Sequence, residues 1–227
     1  MTFLAEHIAV LVVIVPLMAA PFCVLIRNSA VTWGWATTIG VINFFLACLL
    51  LQQVMAEGTI VYNQGDWEGP WGIVYHIDEL GALVVVIVSA IAAIVFPYAK
   101  QSIEREIPVE RHYLAYCMLL LCMAGLIGMA VTGDAFNLFV FLEISSLATY
   151  VLIALGKDRR ALTAALRYLI LGTLGATFYV IGLGMIYMMT GSLNMVDMAA
   201  LLPSVQHTGT IHVALAFIVV GFGLKLA

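Results

Sequence analysis

The sequence predicts an all-α, polytopic transmembrane helix bundle. It has six full spans, a partial and broken seventh, and a β-hairpin outside the membrane between spans two and three. Three observations predict it. Of 227 residues, 64% are hydrophobic and only 10% charged, against about 25% charged in a soluble domain. Mean hydropathy is +1.10. The apolar residues fall in continuous runs of about 20, long enough to cross a bilayer as helices and lacking the alternation of barrel strands. These features exclude a soluble globular domain and a disordered chain. They also exclude nucleic acid as a partner, because nine Lys and Arg scattered over the chain form no basic footprint.

The spans follow in order. Span one covers about residues 7–26 and is stopped by Arg27-Asn28. Glu6 precedes it and no basic stretch does, which argues against a cleavable signal peptide. Span two covers about 30–51. A polar-aromatic stretch at 63–73 then breaks the apolar pattern, flanked by β-branched and aromatic runs at 59–62 and 73–77 with glycines and a proline between them. That pattern predicts the hairpin. Its Trp67 and Trp71 suit either anchoring at the membrane interface or docking of another subunit. Span three covers 79–99 and is followed by a charged loop, 100–111. Spans four and five, 112–131 and 136–155, are joined by the turn Gly133-Asp134. Span six covers 161–190, a longer loop covers 191–209, and the seventh apolar run covers 211–227. Residues 1–111 are read as an N-terminal three-helix segment and 112–227 as a second unit.

Orientation follows from the cations. With seven crossings, Arg27, Lys100, Arg105, Arg111, Lys157, Arg159 and Arg160 all fall on one side. The positive-inside rule puts that side in the cytoplasm and the N-terminus and hairpin outside, in a multi-pass protein of the plasma membrane.

Ionisable residues inside a bilayer are costly and are functional candidates by default. Glu143 lies eight residues after Ala135, about 12 Å along its helix and near mid-membrane. Ser146 and Tyr150 follow at three and seven residues and share its face. The stripe suits a proton or ion relay; the alternative is a structural carboxylate bonded to a neighbouring helix. Lys225 follows fourteen uncharged residues and is preceded by Gly221 and Gly223, which weaken a helix. It is either an ion-path residue or a lysine snorkelling to the interface. Arg167, in the second turn of span six, reads first as a snorkelling residue and second as an ion-path residue. Asp78, Glu79 and Asp134 suit helix N-termini, and His112 and His212 suit the interfaces. Gly172, Gly175, Gly182 and Gly184 suggest close helix packing. Cys23, Cys48, Cys117 and Cys122 lie in apolar runs without metal spacing or a disulfide framework. No metal site, nucleotide loop or other cofactor site is expected.

The run from Gly133 through Glu143 to Tyr150 resembles the fifth helix of antiporter-like proton-conducting subunits. The stretches 165–172 and 184–199, the hairpin with Gly65-Asp66-Trp67, and Asp78 fit the same resemblance. That superfamily comprises the large membrane subunits of respiratory complex I, membrane-bound hydrogenases and Mrp-type multisubunit cation/proton antiporters, with the wording closest to the D-type subunit of the Mrp antiporters. The resemblance implies that Glu143 is the family's fifth-helix glutamate and that Lys225 is its seventh-helix lysine at a break in that helix. The pair then carries ion translocation, with Arg167, Ser146, Tyr150 and Asp78 as relay or support. It implies exchange of Na+ for protons within a hetero-oligomer of membrane subunits. The alternative is the proton-pumping membrane arm of a complex I-like NADH:quinone oxidoreductase or energy-converting hydrogenase, in which this chain does no redox chemistry itself. A third reading is a structural piece that is inert alone. The family has about fourteen helices in inverted repeats, so this chain reads first as the N-terminal half of a longer product and second as one whose other half is a separate chain. An end just after a mid-membrane lysine would leave carbonyls and a carboxylate at membrane depth.

Overall fold

The structure is a computed structural model that describes residues 2–226, with side chains described from Glu6 onward. Its helices are α1 (Thr2–Ile26), α2 (Ser29–Glu57), α3 (Glu79–Glu106), α4 (His112–Val131), α5 (Ala135–Ala154), α6 (Arg159–Thr190), α7 (Met195–Val205) and α8 (Gly209–Leu226). All but α7 are long and apolar enough to cross a membrane. Strands β1 (Ile60–Asn63) and β2 (Val74–Ile77) form the hairpin between α2 and α3.

Helix boundaries have local causes. Side chains at the residue before the helix accept the free N–H groups of the first turn. Asn28 does so for α2, Asp78 for α3, Asp134 for α5, Asp158 for α6 and Asn194 for α7. Gly191, at φ 73°, ends α6 in the left-handed conformation that glycine adopts without strain. The main core joins α1 to α5 and the hairpin, with Val12, Leu50, Val85, Leu120 and Ile127 fully buried.

The two ends of the bundle are tied differently. At one end α1 meets the hairpin through His7 Nδ1 and the Tyr62 hydroxyl, 3.0 Å apart. There the hairpin continues into a ladder: β2 bridges to Thr132 in the α4–α5 turn, and Asp134 bridges to Asn194 before α7. The Gly133 N–H donates to Val74 O, the Met195 N–H to Gly133 O, and the Ala135 N–H to Leu193 O, each at 2.9 Å. This is the hairpin end. At the other end the Lys157 N–H donates to Glu106 O at 2.9 Å, and Lys157 Nζ to Arg105 O at 2.9 Å. Arg27, Lys100, Arg105, Arg111, Lys157, Arg159 and Arg160 all lie at this basic end.

Four expectations are corrected. The charged stretch after span three is helical as far as Glu106, because Lys, Gln, Glu and Arg are strong helix formers whether or not a membrane surrounds them. The loop at 191–209 contains α7, started by the Asn194 cap. No break occurs in α8 among the described residues: a glycine weakens a helix by only about 1 kcal/mol, and Gly221 is clamped against α6. His112 is buried, not interfacial. Its Nδ1 pairs with Ser29 Oγ at 2.9 Å and its Nε2 with Ile107 O at 3.0 Å, so both ring nitrogens are satisfied inside the protein.

Candidate functional site

α5 presents Glu143, Ser146 and Tyr150 on one face, as their spacing requires. α8 does not lie directly on α5; it lies on α6, and it reaches across α6 because that interface is glycine-lined. A Cβ at Gly221 would stand 2.7 Å from Gly175 O and 2.8 Å from the Tyr179 nitrogen. A Cβ at Gly182 would stand 2.7 Å from Ala214 O. Only glycine permits so close a backbone approach. The aliphatic stem of Lys225 runs over Gly175, and its head emerges at α5.

There Lys225 Nζ donates to Glu143 Oε1 at 2.5 Å and to Ser146 Oγ at 3.1 Å. The lysine and glutamate side chains are 11% and 19% exposed. Opposite charges at this depth offset part of each other's desolvation cost, and a shared hydroxyl adds a further hydrogen bond to the lysine head. Tyr150 lies one turn further toward the basic end. Its hydroxyl sits over Gly172 of α6, and its ring meets Tyr168 edge-on at 4.8 Å between centroids. The arrangement can pass a proton between carboxylate, ammonium and hydroxyl whenever the ion pair opens.

Glu143, Ser146 and Lys225 thus meet, with Tyr150 beside them. Arg167 does not join them. It is exposed on α6 and makes no ion pair or hydrogen bond among the described residues. Asp78 caps α3 at the hairpin end, accepting from the Gly81 N–H at 2.7 Å. Two features went unread in the sequence. One is Tyr179 of α6, which donates to Ala135 O at 3.0 Å and touches Phe139 and Phe222. An isolated tyrosine in an apolar run carries no spacing signal. The other is the polar lining around Asp134, which the sequence marks only as a cap. Asp134 is 8% exposed, and Asn137 Nδ2 donates to Thr132 Oγ1 beside it at 3.0 Å. Burial pushes the Asp134 carboxyl up, against the opposing pull of the Asn137 and Phe136 backbone N–H groups. A cavity of about 610 Å³ opens here, lined by Asp134, Asn137, Ser192 and the hairpin's Trp71.

Residues 132–227, which include both members of the ion pair, match the NADH:quinone oxidoreductase/Mrp antiporter transmembrane family. Those residues and the helices before them together match longer membrane proteins. The chain is 41% identical over 227 residues to the N-type subunit of the NADH-quinone oxidoreductase of Desulforudis audaxviator, covering 99% of this chain and 45% of that protein. It is 29% identical over 221 residues to the D-type subunit of the Na(+)/H(+) antiporter of Alkalihalophilus pseudofirmus, covering 97% and 44%. Its fold matches a chain of the membrane-bound sulfane sulfur reductase, an archaeal respiratory membrane complex. There the TM-score is 0.88 at 29% identity, over 96% of this chain and 44% of that one. The chain therefore spans less than half the length of the relatives it matches. Of these two relatives, the higher identity is to the oxidoreductase protein.

Proposed function

We propose that this chain is the first ion-conducting half of an antiporter-type membrane subunit that exchanges a monovalent cation, Na+, for protons. In this reading Glu143 and Lys225 are the relay, Ser146 and Tyr150 support it, and the second unit, 112–227, is the first part of the conducting repeat. The chain sits in the plasma membrane with its basic end cytoplasmic, and other membrane subunits complete the path. One observation carries the reading: a lysine and a glutamate from different helices meet at membrane depth with a serine hydroxyl. A structural role alone would be served as well by apolar residues of similar volume.

The test is transport by the full-length subunit in its complex, reconstituted in liposomes. Glu143→Ala and Lys225→Ala should each abolish Na+-driven proton movement, read by a pH-sensitive dye, while assembly survives. Glu143→Asp should keep part of it. A correctly assembled alanine variant that transports at the wild-type rate removes that residue from the relay. The 41% identity to an NADH-quinone oxidoreductase protein favours a second reading, the proton-pumping arm of a redox complex. Under it, proton movement in the same liposomes follows electron-donor oxidation and ignores a Na+ gradient.

A further inference from the structure

Three aromatic rings close the hairpin-end side of the ion pair. Phe139 lies four residues before Glu143 on α5, and Phe222 lies three before Lys225 on α8, so each shares the face of its charged neighbour one turn toward the hairpin end. Tyr179 of α6 stands between them. Its ring is near-parallel to Phe139, 6.3 Å between centroids at 11°, and edge-on to Phe222 at 5.1 Å and 64°. Its hydroxyl is tied to Ala135 O, and the residue is 6% exposed. Behind the rings the fill stays apolar, with Leu183, Ile218, Leu193 and Met198. On the other side of the pair the wall is polar, with Ser146, Tyr150 and Tyr168. At the hairpin end lies the cavity of about 610 Å³, whose lining sets the polar groups of Asp134, Asn137 and Ser192 among apolar Phe136, Val140 and Leu193. Along α5, the cavity-lining Asp134 and Asn137, the ring of Phe139 and then Glu143 follow one another inward from the hairpin end.

We propose that Phe139, Tyr179 and Phe222 form an aromatic seal that keeps water and ions in the hairpin-end cavity away from the Glu143–Lys225 pair, with Tyr179 as its central member. Apolar constrictions of this kind block by excluding water. Tyr179 is the one ring of the three with a polar tether: its hydroxyl holds the first turn of α5, while its face and edge close on α5 and α8. The seal gives the pair a role only if the pair conducts ions, and so rests on the function proposed above. Its structural content does not.

The test uses the full-length protein in native membrane vesicles, with Cys48, Cys117 and Cys122 replaced by alanine. Native Cys23, fully buried in α1, is retained as a reporter of folding. Ser146→Cys places a thiol beside the pair, and a membrane-impermeant methanethiosulfonate is applied from the hairpin side. With the rings intact this thiol should remain unlabelled. Tyr179→Ala, and independently Phe222→Ala, should raise its labelling rate about tenfold, with Cys23 still unlabelled. Tyr179→Phe keeps the ring and should keep most of the protection. Labelling at position 146 with all three rings intact overturns the proposal, as does full protection in both alanine variants. If one variant exposes Cys23, the other decides. The reaction needs no ion flux, so failure of the transport experiment and failure of the seal are read separately.

Discussion

Removing one partner of the Glu143–Lys225 pair strands the other as a charge at membrane depth, and the fold must bear that. Loss of one member of a buried pair destabilises by about 3–5 kcal/mol, whereas replacing both by apolar groups is often neutral. Glu143→Ala and Lys225→Ala should therefore each lower the melting temperature of the detergent-solubilised protein, and the double variant should recover most of the loss. A double variant as unstable as the sum of the singles would show that the two do not act as a pair. Glu143, Ser146 and Tyr150 were legible in the sequence because a charge and two hydroxyls at helical spacing stand out against apolar neighbours. The contact to Lys225 was not, since no pattern within α5 or α8 sets the distance between them. Tyr179 was invisible for the opposite reason: its neighbours are as apolar as it is, and only the crossing of three helices gives it partners.

Between helices, backbone approach decides geometry. The α6–α8 contact rests on Gly175, Gly182 and Gly221, where any Cβ would meet opposing backbone, which cannot yield as a side chain can. Gly223, two residues on, faces open space. The two glycines should separate cleanly under the same substitution. Gly221→Ala forces α8 off α6, costs about 1–3 kcal/mol, and draws Lys225 away from Glu143. Gly223→Ala should be neutral or stabilising by up to about 1 kcal/mol. Melting temperatures of the two variants check this, and equal tolerance of both would mean that α8 is not held by close glycine packing. The glycine pattern in span six was readable as a packing surface, but its partner was not. The sequence reading treated Gly221 and Gly223 alike as weak points in a helix, yet Gly221 is one of the closest contacts that α8 makes. α7 went unread because its apolar residues occupy too short a run to register as a span and Asn194 gave only a single capping signal.

Across the whole molecule the chain alternates between two chemically unlike ends. The hairpin end is held by a backbone ladder from β1 and β2 through Thr132–Asp134 to Asn194, and among the described residues it carries no Lys or Arg. The basic end carries seven of the nine, on the α1–α2, α3–α4 and α5–α6 connections and the adjoining helix ends. The alternation was legible because each apolar run is long and each interruption is polar, so the order of crossings follows from counting alone. Its sense across the membrane comes from charge, since positive residues near span ends stay on the cytoplasmic side. Two exposed positions test it, Ser102 on the basic end of α3 and Trp71 at the hairpin tip, which is 89% exposed. In a cysteine-free background in intact cells, Trp71→Cys should react with an impermeant maleimide added outside, and Ser102→Cys only after the membrane is opened. The ladder makes the inference cover more than two sites: because it binds the hairpin to the starts of α5 and α7, the side that reaches Trp71 is also the side on which the Asp134 cavity and the aromatic rings face. Outside access at Ser102, with Trp71 protected, would invert the orientation and with it the direction in which the ion pair is shielded.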